Sequence, residues 1–471
     1  MSPMSRKTKI IATLGPATDS PEMLRELMLA GANVFRLNMS HAKHDWVRSI
    51  VKSIRDVSAG LRKRVGILMD TQGPAIRTGD LPSKLNLQTG DVFTFTVRGA
   101  RSEEEYSVDV NYDGLVDDIQ VGDVVKVDNG VIEMKVLSKD KNKLRCEVLT
   151  PGEMGSRRHI NLPGVKVNLP AMTEKDKADV KLGAELKVDY VALSFVREAA
   201  DIGELRALLE EYDFEAKVIA KIEDQSAVRN IRGIMAAADA IMVARGDLGV
   251  EVPYEELPII QRRIVKSCVQ NMKPVVVATH MLESMIENPI PTRAEITDVA
   301  NAVFEQADAI MLSGETTVGK YPKRCVEVLD RVAARIENSG TAGYSHDIEV
   351  NSDRSRVVAS AVHLADKSRA AGIIVFTRTG HLAALTAALR PRFSSIFAFA
   401  HSEEAARRLS LNFGVTALFI DFSEKVHINI LDAEKKLKAR QLVKKGDRLV
   451  VISDLVVGDQ IIQSSYLRLV D

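Results

Sequence analysis

The chain is poor in the features that mark secreted, membrane-spanning and nucleic-acid-binding proteins. It has three cysteines in 471 residues, Cys146, Cys268 and Cys325, and their wide separation argues against a disulfide framework or a zinc site. No apolar run is long enough to span a membrane, and the first residues lack the apolar segment of a signal peptide. Lysine and arginine number 64, as do aspartate and glutamate, so no net charge attracts nucleic acid or an anionic membrane. These absences predict a soluble, cytoplasmic protein whose anion-binding sites are local.

What the chain does have is short apolar runs that alternate with helical patterns. Its length and its 45% hydrophobic content predict two or three domains. The apolar runs predict eight strands, at Lys9–Leu14, Asn33–Leu37, Val65–Met69, Val188–Phe195, Val218–Ile222, Ala240–Ala244, Pro274–Thr279 and Ala309–Leu312. Eight strands that alternate with helices predict a (β/α)8 TIM barrel, an α/β fold.

Two stretches break this rhythm. From about Thr78 to Asn168 the pattern changes to short alternating strands with turn signals, which predicts a small β-barrel lid domain inserted after strand 3. Beyond a Gly/Ser/Asn-rich connector near Ser339, strands and helices alternate again and predict a C-terminal α/β domain. We therefore expect the barrel in residues 1–76 and 169–338, the lid in 77–168, and a C-terminal α/β regulatory domain in 339–471.

The C-terminal pattern predicts individual elements and one candidate anion site. Helices are expected at 354–367, 382–389 and 402–412, and strands at 372–376, 396–399 and 448–452. Between a strand and a helix lie Thr377, Arg378, Thr379, Gly380 and His381, whose hydroxyls, guanidinium and helix N-terminal amides could bind a phosphate. An ordinary capping turn is the alternative for the same residues.

The strand that begins at Val218 carries a lysine in an otherwise apolar run. Lys221 and Glu223 share one face of this strand because side chains alternate along it, and Asp247 follows the next strand. Two carboxylates can hold Mg²⁺ while water and substrate fill its other positions, and an ammonium there would stabilise a phosphoryl group in transfer. Two alternatives remain open: a self-neutralising buried ion pair, and a lysine that forms a Schiff base.

Most other predicted barrel strands also end in polar side chains. The active sites of such barrels lie at the carboxyl ends of the strands, so a coherent set there favours a functional interpretation over a structural one. The polar residues in or just after these strand ends are Arg36, Asn38, Ser40, His41, Asp70, Thr71, Arg77, Thr279, Ser313 and Glu315.

Nine segments along the chain resemble those of pyruvate kinases. They read TKIIATLGPA, NVFRLNMSH, ILMDTQGPAIRTG, KVDNG, INLPG, GVKVNLPAMTEKD, VIAKIED, ADAIMVARGDLGVEVP and TRAEITDVANAVFEQADAIMLSGETTVGKYP. The resemblance implies a barrel, a lid and a regulatory domain, and assembly as a homotetramer. It also implies phosphoryl transfer from phosphoenolpyruvate to ADP, which gives pyruvate and ATP in the last step of glycolysis.

The resemblance assigns roles to the residues around the expected catalytic centre. It implies that Glu223 and Asp247 hold Mg²⁺ (or Mn²⁺), and that Lys221 and the arginines Arg36 and Arg77 contact phosphate. The amides of Gly246 and Asp247, with Thr279, match the position that binds the substrate carboxylate. The set implied for K⁺ is Asn38, Ser40, Asp70 and Thr71.

Further roles follow from the same resemblance. Thr279, Ser313 and Glu315 are implied near a water relay that protonates the enolate. The residues implied to contact the nucleotide are Arg36, Asn38, His41, Trp46, Arg77, Asp128 and Arg158. The loop from Thr377 to His381 matches the pattern that binds a phosphorylated effector, although Leu382 replaces a hydroxyl there.

Two departures from the family pattern affect the monovalent cation. Position 75 holds Ala, whereas Glu there goes with a K⁺ requirement and Lys with K⁺ independence; Gln72 stands where many members have Lys. A methyl group supplies no charge in place of a cation, so we expect K⁺ dependence. The rival hypotheses are a lysine- or metal-dependent aldolase on the same barrel and a non-catalytic metabolite sensor.

Overall fold

The fold is described from a computed structural model that covers residues 6–102, 104, 106–457 and 460–471, with side chains omitted at 454–457 and 460–461. Strands and helices are numbered along the chain. Among the described residues, no helix is both long and apolar enough to cross a lipid bilayer. The architecture is a closed barrel, an inserted β domain and a C-terminal α/β layer.

The first part of the barrel contains three strands and two helices. They are β1 (Lys9–Thr13), α1 (Pro21–Ala30), β2 (Val34–Asn38), α2 (His44–Gly60) and β3 (Gly66–Asp70). Helix α1 begins after Ser20, whose hydroxyl accepts a hydrogen bond from the Met23 amide, and proline stands at its first position. All five residues of β1 and of β3 are buried, as expected for strands covered on both faces.

The insert after β3 is the expected β domain, built as a curled sheet. Its elements are β4 (Leu85–Leu87), β5 (Val92–Thr96), β6 (Ser107–Asp109), α3 (Leu115–Asp118), β7 (Val124–Val127), β8 (Ile132–Lys139), β9 (Lys143–Val148), β10 (Gly152–Met154) and β11 (Ile160–Asn161). Six strands pair in the order β11-β7-β8-β9-β5-β6, and β4 pairs with β10. The domain has its own apolar core, in which the Phe93 and Phe95 ring centroids lie 4.9 Å apart.

The chain then returns to complete the barrel. The elements are α4 (Glu174–Glu185), β12 (Tyr190–Leu193), α5 (Ala199–Glu211), β13 (Lys217–Ile222), α6 (Gln225–Arg229), α7 (Ile231–Ala237), β14 (Ala240–Ala244), α8 (Arg245–Glu251), α9 (Leu257–Gln270), β15 (Val275–Ala278), α10 (Arg293–Phe304), β16 (Ala309–Leu312), α11 (Gly314–Thr317) and α12 (Pro322–Glu337). Parallel pairing of β1 with both β2 and β16 closes the eight strands, which confirms the predicted barrel. Since all eight strands are parallel, their carboxyl ends meet at one rim.

The C-terminal region forms a five-stranded sheet with helices. It contains α13 (Asp353–Ser368), β17 (Gly372–Thr377), α14 (His381–Ala388), β18 (Ser395–Ala400), α15 (Glu403–Arg407), β19 (Val415–Phe419), α16 (Val426–Ala439), β20 (Arg448–Val457) and β21 (Gln460–Leu469), in the strand order β19-β18-β17-β20-β21. Two short 3-10 helices, Glu283–Ile286 and Tyr344–Asp347, complete the inventory.

The inside of the barrel is filled by side chains, and the C-terminal domain contributes to this filling. Ile219 and Met242 belong to the interior cluster, and so does Leu411 from the loop between α15 and β19. The Leu411 amide donates to the Tyr190 hydroxyl at 3.1 Å. Lys9, at the start of β1, reaches the opposite way and donates to the Val415 carbonyl at 2.7 Å. The end of the barrel at which the strands begin, called its lower end below, therefore packs directly against the C-terminal domain.

The C-terminal domain differs from the sequence prediction in one helix, and it contains three elements that were not predicted. The helix expected at 402–412 is only the short α15, because the chain leaves the helical path where Leu409 enters the core of the C-terminal domain and Leu411 enters the interior of the barrel. Strand β19 was not anticipated, and neither were helix α16 and the antiparallel edge strand β21.

Candidate active site

Lys221 lies at the centre of a buried polar cluster at the upper rim of the barrel. Its Nζ is 2.9 Å from Glu223 Oε1 and 3.2 Å from Asp70 Oδ1, and it donates to Ser194 Oγ at 2.8 Å. The register of the parallel strands sets this meeting: β13 carries Lys221 beside β12, and β3 pairs with β12 on the other side. The structure thus brings together residues from three neighbouring strand ends.

The electrostatics of this cluster keep the lysine charged. Burial alone would lower the pKa of Lys221, but the carboxylates of Asp70 and Glu223 raise it above its ordinary value. Burial also raises the pKa of Asp70, and this effect is outweighed by Lys221 and Arg36, which bring it below its usual range. A protonated ammonium is not a nucleophile, so the geometry favours an electrostatic role for Lys221 over Schiff-base chemistry.

Glu223 and Asp247 form the candidate site for a divalent cation. Burial, followed by the nearby Asp247 carboxylate, raises the pKa of Glu223 above its ordinary value although Lys221 lies beside it. Two carboxylates that disfavour each other's charge fit a divalent cation, which would remove this repulsion. Among the described residues no three acidic, histidine or cysteine side chains gather as a metal site, so this candidate site offers two carboxylates.

The four residues expected to bind K⁺ lie around the ends of β2 and β3. Asn38 pairs in register with Asp70, and the Asn38 side chain accepts a hydrogen bond from the Ser40 amide at 3.2 Å. Thr71 Oγ1 accepts from the Ser194 amide at 3.1 Å. Arg36 forms an ion pair with Asp70 at 2.6 Å, so the carboxylate of this set already has a cationic partner in the structure.

The start of α8 carries backbone groups beside Thr279. The Gly246 amide donates to Thr279 Oγ1 at 2.8 Å, and buried Arg245 holds the loop through bonds to the Thr279 carbonyl, 2.6 Å, and to Asp298, 2.7 Å. Thr279 has a φ of 69°, and His280 one of 55°. A β-branched residue with positive φ is strained by about 1–3 kcal/mol, and such strain clusters at functional sites.

Ser313 and Glu315 lie at the end of β16, near the same rim. The Glu315 carboxylate accepts from the Ser313 amide at 2.7 Å and from the Leu282 amide at 3.0 Å, so it ties two loops together. Burial raises the pKa of Glu315. Ser313 Oγ is buried without a hydrogen-bond partner among the described residues, so it is free to bind water or substrate.

The expected nucleotide contacts divide between the lid and the barrel. Arg158 and Asp128 form an ion pair at 3.3 Å on the lid. Where the lid begins, the backbone of Arg77 pairs with that of His159, and the exposed Arg77 guanidinium donates to the Arg157 carbonyl at 3.2 Å. His41 is exposed just beyond β2, whereas the Trp46 ring packs partly buried against the barrel core on α2.

The loop between β17 and α14 lies far from this cluster, at the other end of the barrel. Thr377 Oγ1 accepts from the Gly380 amide at 2.9 Å, as in a capping turn, and Gly380 has a φ of 88°. Arg378, Thr379 and His381 line a cavity of about 780 Å³ between the C-terminal domain and the lower end of the barrel. The loop is therefore both a turn and one wall of a cavity.

Several residues of the site escaped the sequence analysis. Ser194 bridges Lys221, Asp70 and Thr71, but it stands at the end of a strand where serine carries no motif. Arg245 precedes the expected site residues and was not given a role, although a charged residue directly after an apolar strand was the available signal. Thr13 accepts from Arg36 at 3.1 Å and was missed for the same reason as Ser194.

Comparison with known proteins agrees with this arrangement. Residues 5–326 match the family model of the pyruvate kinase barrel domain, and residues 355–462 match that of the pyruvate kinase alpha/beta domain. The chain belongs to the pyruvate kinase family. Pyruvate kinase isozyme G of Nicotiana tabacum chloroplasts is 41% identical over 451 residues, which cover 95% of this chain and 80% of that protein.

Bacterial and protozoan pyruvate kinases are similar over comparable lengths. A pyruvate kinase of Staphylococcus epidermidis is 37% identical over 467 residues, 97% of this chain and 79% of that protein. A crystal structure of a pyruvate kinase from Cryptosporidium parvum superposes with a TM-score of 0.93 at 33% identity, covering 99% of this chain and 96% of that one. The pyruvate kinase fold therefore extends over the whole barrel, lid and C-terminal domain.

Proposed function

We propose that this pyruvate kinase transfers the phosphoryl group of phosphoenolpyruvate to ADP at the Lys221 cluster, and that Lys221 is the group that stabilises the charge in transfer. The observation that carries the proposal is the buried Lys221 ammonium nitrogen, which lies within 3.2 Å of the carboxylates of Asp70 and Glu223. In a water-poor site a fixed charge acts strongly on a transition state whose charge is spread over the phosphoryl oxygens.

The remaining roles follow from position. Arg36 and Arg77 would hold phosphate oxygens, and Glu223 with Asp247 would hold Mg²⁺ or Mn²⁺ between them. A bound divalent cation supplies positive charge that neutralises the oxygens of the donor and of the nucleotide. The Gly246 and Asp247 amides with Thr279 would orient the substrate carboxylate. Gly246 must then exchange its bond to Thr279 for one to substrate.

After transfer, the enolate of pyruvate needs a proton. Ser313 Oγ, buried without a partner among the described residues, is a candidate to hold the water that delivers it. Glu315 fixes the Ser313 backbone and would keep this hydroxyl in place. The lid, through Asp128 and Arg158, would contact the nucleotide and exclude bulk water, so that the phosphoryl group passes to ADP.

The rival functions are less well supported by the same residues. An aldolase that uses Lys221 as a Schiff-base nucleophile requires a neutral amine, and the neighbouring carboxylates instead raise the pKa of Lys221. A sensor without catalysis has no use for an intact Lys221, Glu223 and Asp247 set.

The test is pyruvate formation coupled to NADH oxidation by lactate dehydrogenase. We expect turnover that needs phosphoenolpyruvate, ADP and Mg²⁺ together. An aldolase would show no ADP requirement, and Lys221 would be trapped by borohydride with a keto acid. A sensor would form no pyruvate under any combination.

We further propose K⁺ dependence, a homotetramer, a cytoplasmic location and a phosphorylated effector at the Thr377–His381 loop. The oxygen-rich set from Asn38 to Thr71 supports K⁺. The cavity beside Arg378 and His381 supports a phosphorylated effector, such as a sugar monophosphate or AMP. The cytoplasmic location is tested by fractionation, because the relatives include chloroplast proteins as well as bacterial ones.

A further inference from the structure

The base of the lid meets the barrel through two matched pairs of side chains. His159 directly precedes β11 and Asn161 ends it, so the two side chains, two residues apart in extended backbone, point to the same side. Asp247 and Glu251 are four residues apart on α8 and share one face of that helix. His159 Nδ1 lies 3.9 Å from Asp247 Oδ1, and Asn161 Nδ2 donates to Glu251 Oε1 at 2.9 Å. A face of the lid is thus seated on the helix that carries a proposed metal ligand.

Glu251 is a buried carboxylate with no cation in ion-pair contact among the described residues, although Lys126 is near enough to lower its pKa slightly. Its residue is 8% exposed and Asn161 is 5% exposed. No ion pair of Glu251 is found among the described residues, and burial raises its pKa to about 7. A buried carboxylate held by one neutral donor costs stability relative to an apolar side chain of similar size. Stability alone therefore gives no reason for glutamate at this position.

Glu251 also connects α8 to the strand that carries Lys221 and Glu223. Its backbone carbonyl accepts from Gln225 Nε2 at 2.6 Å, and Gln225 begins α6, two residues after Glu223. Asn161, Glu251, Gln225 and Glu223 border one cavity of about 70 Å³ at the base of the lid. Asn161 Oδ1 is buried there without a partner among the described residues. Polar contacts of Asn161 and Glu251 thus join the lid to the barrel beside apolar side chains, such as Ile76 and Leu162, that line the same cavity.

We propose that Asn161 and Glu251 form a clasp that fixes the base of the lid against α8, and that Glu251 is a positioning residue for phosphoryl transfer. The proposal rests on the proposed function. A lid that turned about its base would change the distance between Arg158 and the cluster around Lys221. An end of α8 that was free to move would change the distance between Asp247 and Glu223. The clasp restrains both movements at one point.

Loss of the clasp has a specific chemical consequence. A loosely seated lid admits water to the donor, and this water competes with ADP. The water oxygen forms a bond to phosphorus while the bond from phosphorus to the enolate oxygen breaks. The water gives up one proton and the enolate carbon takes one up, so the products are inorganic phosphate and pyruvate. Enzymes exclude this side reaction by closing the site. The clasp therefore determines which acceptor, ADP or water, receives the phosphoryl group, as well as how fast the transfer occurs.

The test compares Asn161→Ala, Glu251→Ala, their double variant, Glu251→Gln and the control Glu255→Gln in the full-length protein. Glu255 is an exposed carboxylate four residues beyond Glu251, so its change removes the same charge outside the junction. Glutamine at 251 can still accept from Asn161 Nδ2, and its amide can also donate to the unpartnered Asn161 Oδ1.

We expect each alanine variant to lower kcat by about tenfold and to raise phosphate release without ADP by a similar factor, roughly the size of a lost buried hydrogen bond in a positioned site. The double variant should be no worse than either single one, because both remove the same contact. Glu251→Gln should recover turnover to within about threefold, and Glu255→Gln should match the parent chain.

A readout without substrate or metal completes the test. Hydrogen exchange of residues 157–162 and 245–251 should speed up together in both alanine variants and in neither glutamine variant. The clasp would be overturned if the alanine variants matched Glu255→Gln both in hydrogen exchange and in the ratio of pyruvate formation with ADP to phosphate release without ADP. Additive losses of kcat in the double variant would overturn it as well. Failure of the parent chain to make pyruvate would instead overturn the proposed function, and the exchange result would still test the clasp.

Discussion

The most direct test of the charge assigned to Lys221 is its replacement by methionine. Methionine has a similar length but no ammonium, so Lys221→Met removes the charge that faces Asp70 at 3.2 Å and Glu223 at 2.9 Å. If this charge acts on the transition state, its loss should lower kcat by about 10²–10³, the usual effect of one preorganised electrostatic donor. The effect on the KM for phosphoenolpyruvate should be smaller, since the ground state carries less charge on the moving group.

The same replacement has a structural cost that can be separated from catalysis. It leaves two buried carboxylates with one fewer cation, which destabilises a fold by about 3–5 kcal/mol when a buried pair is broken. Thermal unfolding should register this loss. Mn²⁺ affinity should change by less than about tenfold, because Glu223 and Asp247 keep their oxygens and lose only a neighbouring cation.

The assay is pyruvate formation at saturating substrates, with Mn²⁺ affinity followed by electron paramagnetic resonance. Lys221→Arg is the matched control: it keeps the positive charge in a larger, planar group, and it should retain more stability than methionine while regaining only part of kcat. Equal losses of Mn²⁺ affinity and turnover in Lys221→Met would refute the reasoning and make the lysine a structural counter-ion.

Three other predictions concern different parts of the chain. Turnover should fall at least about tenfold in buffer free of Na⁺ and K⁺, because Ala75 supplies no substitute charge, and undiminished turnover would contradict this. Burial lowers the pKa of Lys9 to about 7. Between pH 7 and about 10.5 the unfolded chain therefore binds more protons than the folded one, so the free energy of unfolding should rise with pH, by up to about 5 kcal/mol. Denaturant titrations across this range should show a smaller rise for Lys9→Met. Thr279→Ala should raise the KM for phosphoenolpyruvate about tenfold, while Thr279→Ser, which keeps the hydroxyl, should stay within about threefold in the coupled assay; equal effects would assign the loss to backbone strain.

The barrel and the lid could be predicted because local patterns and global fold agree there. Buried parallel strands read as apolar runs, and their polar ends mark the rim, so Lys221, Glu223 and Asp247 could be grouped before any coordinates. The C-terminal domain was harder: Val415–Phe419 is short, and the antiparallel strand Gln460–Leu469 alternates weakly. Its neighbours, not its own pattern, decide its conformation.

The contacts within the site could not be predicted for a related reason. Ser194 and Asn161 are ordinary polar residues in the sequence, and their importance arises from partners that are distant along the chain, such as Asp70 for Ser194 and Glu251 for Asn161. Pairing of Asp70 with both Arg36 and Lys221 likewise depends on strand register. The domain boundaries, the site roles and the K⁺ dependence stay predictions.

Leu411 links the C-terminal domain to the barrel. The Leu411 side chain packs into the barrel interior at the end where the strands begin. Its amide is hydrogen-bonded to the hydroxyl of Tyr190, which lies in the strand beside the one that bears Lys221. A shift of the C-terminal domain must therefore either move the strand that holds Tyr190 or withdraw Leu411 and let water into the barrel interior. Deleting the domain would therefore remove Leu411 and expose apolar side chains of the barrel interior, such as Ile219 and Met242, to water on the side of the barrel away from Lys221.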